Sequence, residues 1–162
     1  MNNRLRNYSL FIVNYSLFIL LLSGCGGVER PADMPQLYPC EITVTAEGTP
    51  LAGATIGLYS AVPDFKWTIG GLTNEQGKAV VTTHGKYSGV PAGEYTVTVE
   101  KLEPEPYDAE KPPAQIKIYT LTNPEYTDKD KSPLKLTVQK KKTSESVDTG
   151  KPIKAVLRTV VF

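Results

Sequence analysis

A chain of 162 residues with 40% hydrophobic content has room for one globular domain and not for a second full one. Its formal net charge is +1, and removing Arg4 and Arg6, two of the 18 basic residues and the charged residues ahead of Cys25, leaves 16 basic against 17 acidic. Nothing in this near-neutral balance suggests the clustered cationic face that nucleic-acid binding requires, and the one basic run, Lys140–Lys142, reads as a solvated loop, the alternative being contact with anionic lipid or polysaccharide. Thirteen Gly, thirteen Pro and two Met disfavour long helices; with many Thr, Val and Tyr they favour short strands joined by tight turns, an all-β class.

In chain order, residues 1–24 divide into a basic start with Arg4 and Arg6, an apolar stretch from Tyr8 to Leu22, and small residues before Cys25. That is the layout of a secretory signal helix. Leu22, Ser23, Gly24 and Cys25 resemble the bacterial lipobox, in which the cysteine is diacylated on sulfur and the peptidase cuts before it. A thiol is needed for the thioether to the glyceride, and small side chains for the cleaved bond. The alternative for the apolar stretch is a transmembrane anchor, since it is nearly long enough for about 30 Å of hydrocarbon. Ser9, Asn14 and Ser16 interrupt it, and the repeated heptads Asn7–Val13 and Asn14–Leu20 read as a local duplication lengthening a signal. Acyl chains contribute about 0.8 kcal/mol per buried methylene, so two or three hold a protein to a bilayer without a span. With Gly26 after the acylated position, a Gram-negative host is expected to send the protein to its outer membrane.

Residues 25–39 carry Gly26, Gly27, Pro31, Pro35 and Pro39 and read as an extended tether, with the folded domain over 40–162. Ile42 and Val44 alternate with Thr43 and Thr45; a turn follows over Gly48–Gly53, and Ala54–Tyr59 resumes alternation. Trp67–Leu72 reads as a third strand, Thr73–Gly77 as a tight turn, and Lys78–Thr83 as the next strand. Glu94–Glu100 is the clearest strand, with Tyr95, Val97 and Val99 on the core face. Residues 101–114 read as a surface loop. Strands are then expected over Gln115–Leu121, Leu134–Gln139 and near Ile153–Val161, with polar loops between them. About seven or eight short strands without helical crossovers indicate an antiparallel Greek-key sandwich.

Three motifs carry a family resemblance: Gly48–Ile56, Leu72–Ala79 and Val90–Val97 resemble the carboxypeptidase regulatory-like, or transthyretin-like, β-sandwich. Pro124–Thr127 and Ser132–Leu134 resemble the tail of small exported lipoproteins of planctomycete-like bacteria. The resemblance implies a prealbumin-like fold used as an accessory or interaction module without catalysis or cofactor. Hydrolytic transthyretin-like relatives end in Tyr-Arg-Gly-Ser, whereas this chain ends Arg158, Thr159, Val160, Val161, Phe162. Internal isopeptide bonds of pilin-type sandwiches need a first-strand Lys, which Cys40–Ala46 lacks.

The chain has one His and no His-x-x-Glu motif, too few of the usual protein ligands of a catalytic zinc. His84 reads as an exposed loop histidine, and pairing with Cys40 as a nucleophile lacks a third orienting group. With Cys25 acylated, Cys40 is either a buried free thiol or an intermolecular disulfide. Glu103, Glu105, Asp108 and Glu110 read as a solvated loop rather than a calcium site, Pro104 and Pro106 breaking the ligand spacing. Trp67 and Tyr87, with Tyr59 and Tyr119 beside them, form a candidate aromatic platform for sugars. The expected function is a lipid-anchored envelope protein presenting a non-enzymatic module to another envelope protein, the alternative being a carbohydrate-binding accessory lipoprotein. Its partners are then a membrane, through the anchor, and an envelope protein or glycan.

Overall fold

A computed structural model describes residues 29–106 and 115–161. The signal segment, the lipobox Leu22–Gly24 and Cys25 lie outside the described residues, as do Asp108 and Glu110. Among the described residues, the unit that holds the strands begins at Ala32.

The described strands are β1 Leu37–Tyr38, β2 Cys40–Ala46, β3 Thr49–Pro50, β4 Thr55–Ser60, β5 Ile69–Leu72, β6 Lys78–Val80, β7 Thr82–Thr83 and β8 Tyr87–Ser88. They continue as β9 Val90–Pro91, β10 Gly93–Glu100, β11 Leu102–Pro104, β12 Gln115–Thr120, β13 Lys135–Val138, β14 Thr143–Asp148 and β15 Ala155–Val161. One four-residue helix, α1 Pro124–Thr127, interrupts them, with Asn123 accepting the Glu125 amide at its start. The molecule is therefore mostly strand, as the composition requires.

Two sheets face one shared core. One has the order β13-β10-β4-β5-β7-β8; the other places β2 between β14 and the short strands β3 and β6. Alternation decides which side chains point inward: Cys40, Ile42, Val44 and Ala46 of β2 are buried, as are Tyr95, Val97 and Val99 of β10. Ile56 and Leu58 of β4, Leu136 and Val138 of β13 and Val147 of β14 complete the same cluster. Burying such aliphatic side chains contributes about 1.5–3 kcal/mol each relative to exposure.

The Gly48–Ile56 segment builds its corner from backbone bonds. Glu47 and Gly48 both take positive φ, +50° and +77°, which closes the β2–β3 hairpin. Leu51 N then donates to Val44 O at 3.0 Å, and buried Thr73 donates its hydroxyl to Leu51 O while accepting the Ala54 amide. In the Thr73–Gly77 turn, Asn74 Oδ1 accepts the amides of Gln76 and Lys78.

Several sequence expectations are revised. Lys78–Thr83 is not one strand: β6 pairs with β2 and β7 pairs with β5, so the chain changes sheet at Val81. The ladders are not all antiparallel, because β14 runs parallel to β2 from Thr143 against Cys40 to Asp148 against Thr45, in a segment expected to be loop. The third strand starts at Ile69, leaving Trp67 and Thr68 in the approach loop. The chain joins the fold ahead of Cys40, where Leu37–Tyr38 pairs with Val90–Pro91 and Leu37 is buried. Part of the expected 101–114 loop is β11, which forms a separate three-stranded sheet with β12 and β15.

The parallel pair is held at its end by Asp148. Its carboxylate accepts the Gly48 amide at 2.8 Å, the Thr45 hydroxyl at 2.8 Å, the Gly150 amide at 2.7 Å and the Glu47 amide at 3.2 Å. These donors, the Gly48 amide foremost, bring the Asp148 pKa down to about 2. A depressed carboxylate stabilises the fold above the unfolded pKa of about 3.9 and loses that contribution as pH falls through the folded value. Asp148→Ala is therefore expected to lower the thermal midpoint at neutral pH. The gap to wild type should narrow between about pH 4 and pH 2; a gap unchanged across that window would refute the role.

Candidate functional site

The outer face of β4 and β5 carries an open trough of about 670 Å³. Its floor lacks side chains because of two glycines. Across the sheet, Thr98, Gly57, Gly70 and Thr82 are successive register partners on β10, β4, β5 and β7, a row of hydroxyl, glycine, glycine, hydroxyl. A Cβ at Gly70 would stand 2.5 Å from Ile56 O, and one at Gly57 would stand 2.7 Å from Thr98 Oγ1 and 3.2 Å from Tyr59 Cε2. The Tyr59 ring thus reaches along the sheet to the Gly57 position, and the residue stays 46% exposed. Strand glycines commonly mark such close approaches.

The wall comes from the Ser60–Ile69 connection. Phe65 anchors it by packing edge-on against buried Tyr95, with ring centroids 6.1 Å apart at 81°. Beyond Phe65 the half-buried Trp67 lines the trough with Val62 and Lys66. Lys66 Nζ lies 4.9 Å from the Trp67 ring centroid, and the His84 ring stands 5.2 Å from it at 72°. Lys66 also pairs with Asp33, and that bond holds the Asp33 carboxyl below the usual range. His84 takes φ +54° and donates its amide to Thr68 O at 2.7 Å, tying the β7–β8 turn to the wall.

Of the aromatic residues singled out from sequence, the trough brings together Trp67 and Tyr59 and leaves out the other two. Tyr87 sits on β8 opposite Thr83, with Lys86 Nζ 5.5 Å from its ring centroid. Tyr119 belongs to the three-stranded sheet, with Lys154 over its ring at 4.7 Å. Gly57, Gly70, Thr82 and Phe65 are contributors that sequence reasoning missed. The signal for the first two was a glycine at an outward position inside an alternating strand.

No family model, curated protein or solved structure matches this chain.

The other reactive residues fall elsewhere. Cys40 is a free thiol, 3% exposed, and burial, with Glu145 adding to it, pushes its pKa up to about 11. A protonated thiol inside the core is a poor nucleophile and does not reach a disulfide partner without opening the fold. His84 lies at the surface against Trp67, so the sequence pair Cys40 and His84 does not form a nucleophile and its base. Glu103 pairs with Lys154 at 3.8 Å on the three-stranded sheet. Among the described residues no group of three or more His, Cys, Asp or Glu is arranged to hold a metal ion, and no helix is long and apolar enough to cross a membrane. Lys140–Lys142 form an exposed turn between β13 and β14.

A second exposed feature is the strand β15. It pairs with β12 along one side and forms an edge of its sheet among the described residues. A register irregularity between Ile118 and Tyr119 leaves Leu157 without a partner in the ladder. Val156 and Leu157 are 55% and 50% exposed.

Proposed function

We propose that this chain is a lipid-anchored envelope protein whose domain, a prealbumin-like Greek-key sandwich of the carboxypeptidase regulatory-like kind, is a non-enzymatic interaction module. In this reading Cys25 carries the acyl chains, a Gram-negative host places the protein in its outer membrane, and β15 is offered to an extended segment of another envelope protein. The observation that carries the interaction is the β15 edge. Edge strands are ordinarily blunted by lysine, proline, a bulge or a covering element, and of these β15 shows the bulge at Leu157. Ala155–Val161 holds a single charge, Arg158, no proline, and two half-exposed apolar side chains. Such an edge supplies main-chain bonds to an added strand, and alternate side-chain sites supply selectivity.

The test uses the full precursor expressed in a bacterial host with a photoreactive residue at Leu157 or, as control, at exposed Glu75. The expected result is a mature chain without residues 1–24, carrying acyl mass and partitioning into detergent. It should give a discrete protein crosslink from position 157 and none from position 75. Cys25→Ser should lose both the acyl mass and the membrane fraction. An uncleaved, membrane-bound Cys25→Ser chain would refute the anchor, and equal crosslinking from both positions would refute the edge.

A further inference from the structure

The trough over β4 and β5 has a composition that selects its ligand. Its floor is backbone at Gly57 and Gly70, flanked by Thr82, whose hydroxyl donates to Gly70 O at 3.3 Å, and Thr55 and Thr68 add hydroxyls among the lining residues. Tyr59 extends over the Gly57 position and remains half exposed, while Trp67 stands in the wall, steadied by Lys66 and His84. Both lining lysines already have carboxylate partners: Lys66 pairs with Asp33, and Lys129 with Asp130 at 3.6 Å. The site therefore combines aromatic surface, several hydroxyls and a charge-balanced rim.

Each competing ligand class meets a mismatch. An acyl chain would strip water from the exposed hydroxyls of Thr55 and Thr68 without replacing its hydrogen bonds, which is unfavourable. An anion would compete with Asp33 and Asp130 for the two lysines and would find no buried cation in the lining. An added peptide strand needs an unpaired edge, whereas β4 and β5 are paired on both sides. A sugar ring satisfies all three conditions, because it has an apolar face for an aromatic ring, hydroxyls around its rim, and no charge.

We propose that this trough binds a neutral oligosaccharide, with a pyranose face laid on Tyr59, the neighbouring unit against Trp67, and sugar hydroxyls exchanging hydrogen bonds with Thr55, Thr68 and Thr82. The site is separate from the β15 edge, and failure of the crosslinking experiment leaves it unaffected.

Trp67 is the single tryptophan of the chain, so its emission reports on this wall alone. The experiment titrates the full chain, in a detergent without a sugar headgroup, with hexasaccharides of β-1,4-glucan, chitin and mannan. It follows emission for wild type and heat of binding for the variants. At least one hexasaccharide is expected to bind and to shift Trp67 emission. Tyr59→Ala and Trp67→Ala are each expected to weaken that binding by about tenfold or more, while Tyr59→Phe, which keeps the ring, stays near wild type. An unchanged urea midpoint in each variant separates lost binding from lost folding. The proposal is overturned if none of the three oligosaccharides binds, or if binding survives unchanged in both alanine variants. It is also overturned if only a polyuronate added in a parallel titration binds, in a salt-sensitive manner.

Discussion

Gly77→Ala is expected to destabilise the domain by about 2–5 kcal/mol, while the same change at Gly48 costs about 1–2 kcal/mol. The two glycines have nearly the same backbone, φ +70° and +77°, so the left-handed conformation penalises alanine equally at both. Their surroundings differ. A Cβ at Gly48 meets nothing within 4 Å, whereas at Gly77 it would stand 2.4 Å from Val44 O and 3.2 Å from Leu51 N. Gly77 O also accepts the Val44 amide at 2.8 Å, so the turn cannot back away without breaking a bond to β2. Against a typical net stability of about 5–15 kcal/mol, the Gly77 loss is a large fraction. Urea denaturation of both variants measures the contrast, and equal losses would show that the turn is free to move off β2.

Tyr95→Ala is expected to cost about 3–5 kcal/mol and Tyr95→Phe about 1 kcal/mol. The ring is 2% exposed, packs against Phe65, and sits between Ser60 of β4 and Leu136 of β13 in the ladder. Truncation therefore opens a cavity between strands and frees the anchor of the Trp67 wall. Phenylalanine keeps the packing and loses only the hydroxyl, which donates to Pro91 O at 2.8 Å. Burial first, and Cys40 second, push the Tyr95 pKa up to about 12. A raised pKa means that the neutral hydroxyl stabilises the fold fully below the unfolded value of about 10 and loses that contribution as pH climbs to the folded one. The advantage of wild type over Tyr95→Phe should accordingly shrink between about pH 10 and pH 12. Calorimetry of the three proteins checks both parts, and an alanine variant no worse than phenylalanine would remove Tyr95 from the core argument.

In the proposed reading, the trough on the six-stranded sheet and the edge of the three-stranded sheet would have different tasks. Glycines and threonines on the outer face of β4 and β5 leave space for a small polar ligand. The three-stranded sheet leaves backbone groups and aliphatic side chains for another chain. On a membrane tether the two would let one protein hold a glycan and a protein at the envelope.

How much of this was legible in the sequence depends on whether the signal is local. Strands β2, β4 and β10 are readable because apolar residues alternate with polar or small ones along them, with Tyr95, Val97 and Val99 on one face of β10, although Thr98 between them is buried as well. The turns at Gly48 and Gly77 are readable because positive φ selects glycine. The break between β6 and β7 was invisible: Ala79, Val81 and Thr83 keep an unbroken alternation while the neighbouring strand changes from β2 to β5, and periodicity records burial and not pairing. Strand β14 was hidden because Val147 is its one core side chain, so Thr143–Asp148 reads as polar loop until β2 lies beside it. The trough follows the same logic. Trp67 and Tyr59 stood out as aromatic residues, but only the register that sets Gly57 opposite Gly70, with Thr82 alongside, brings them to one trough, and that register is fixed by pairing between separate strands.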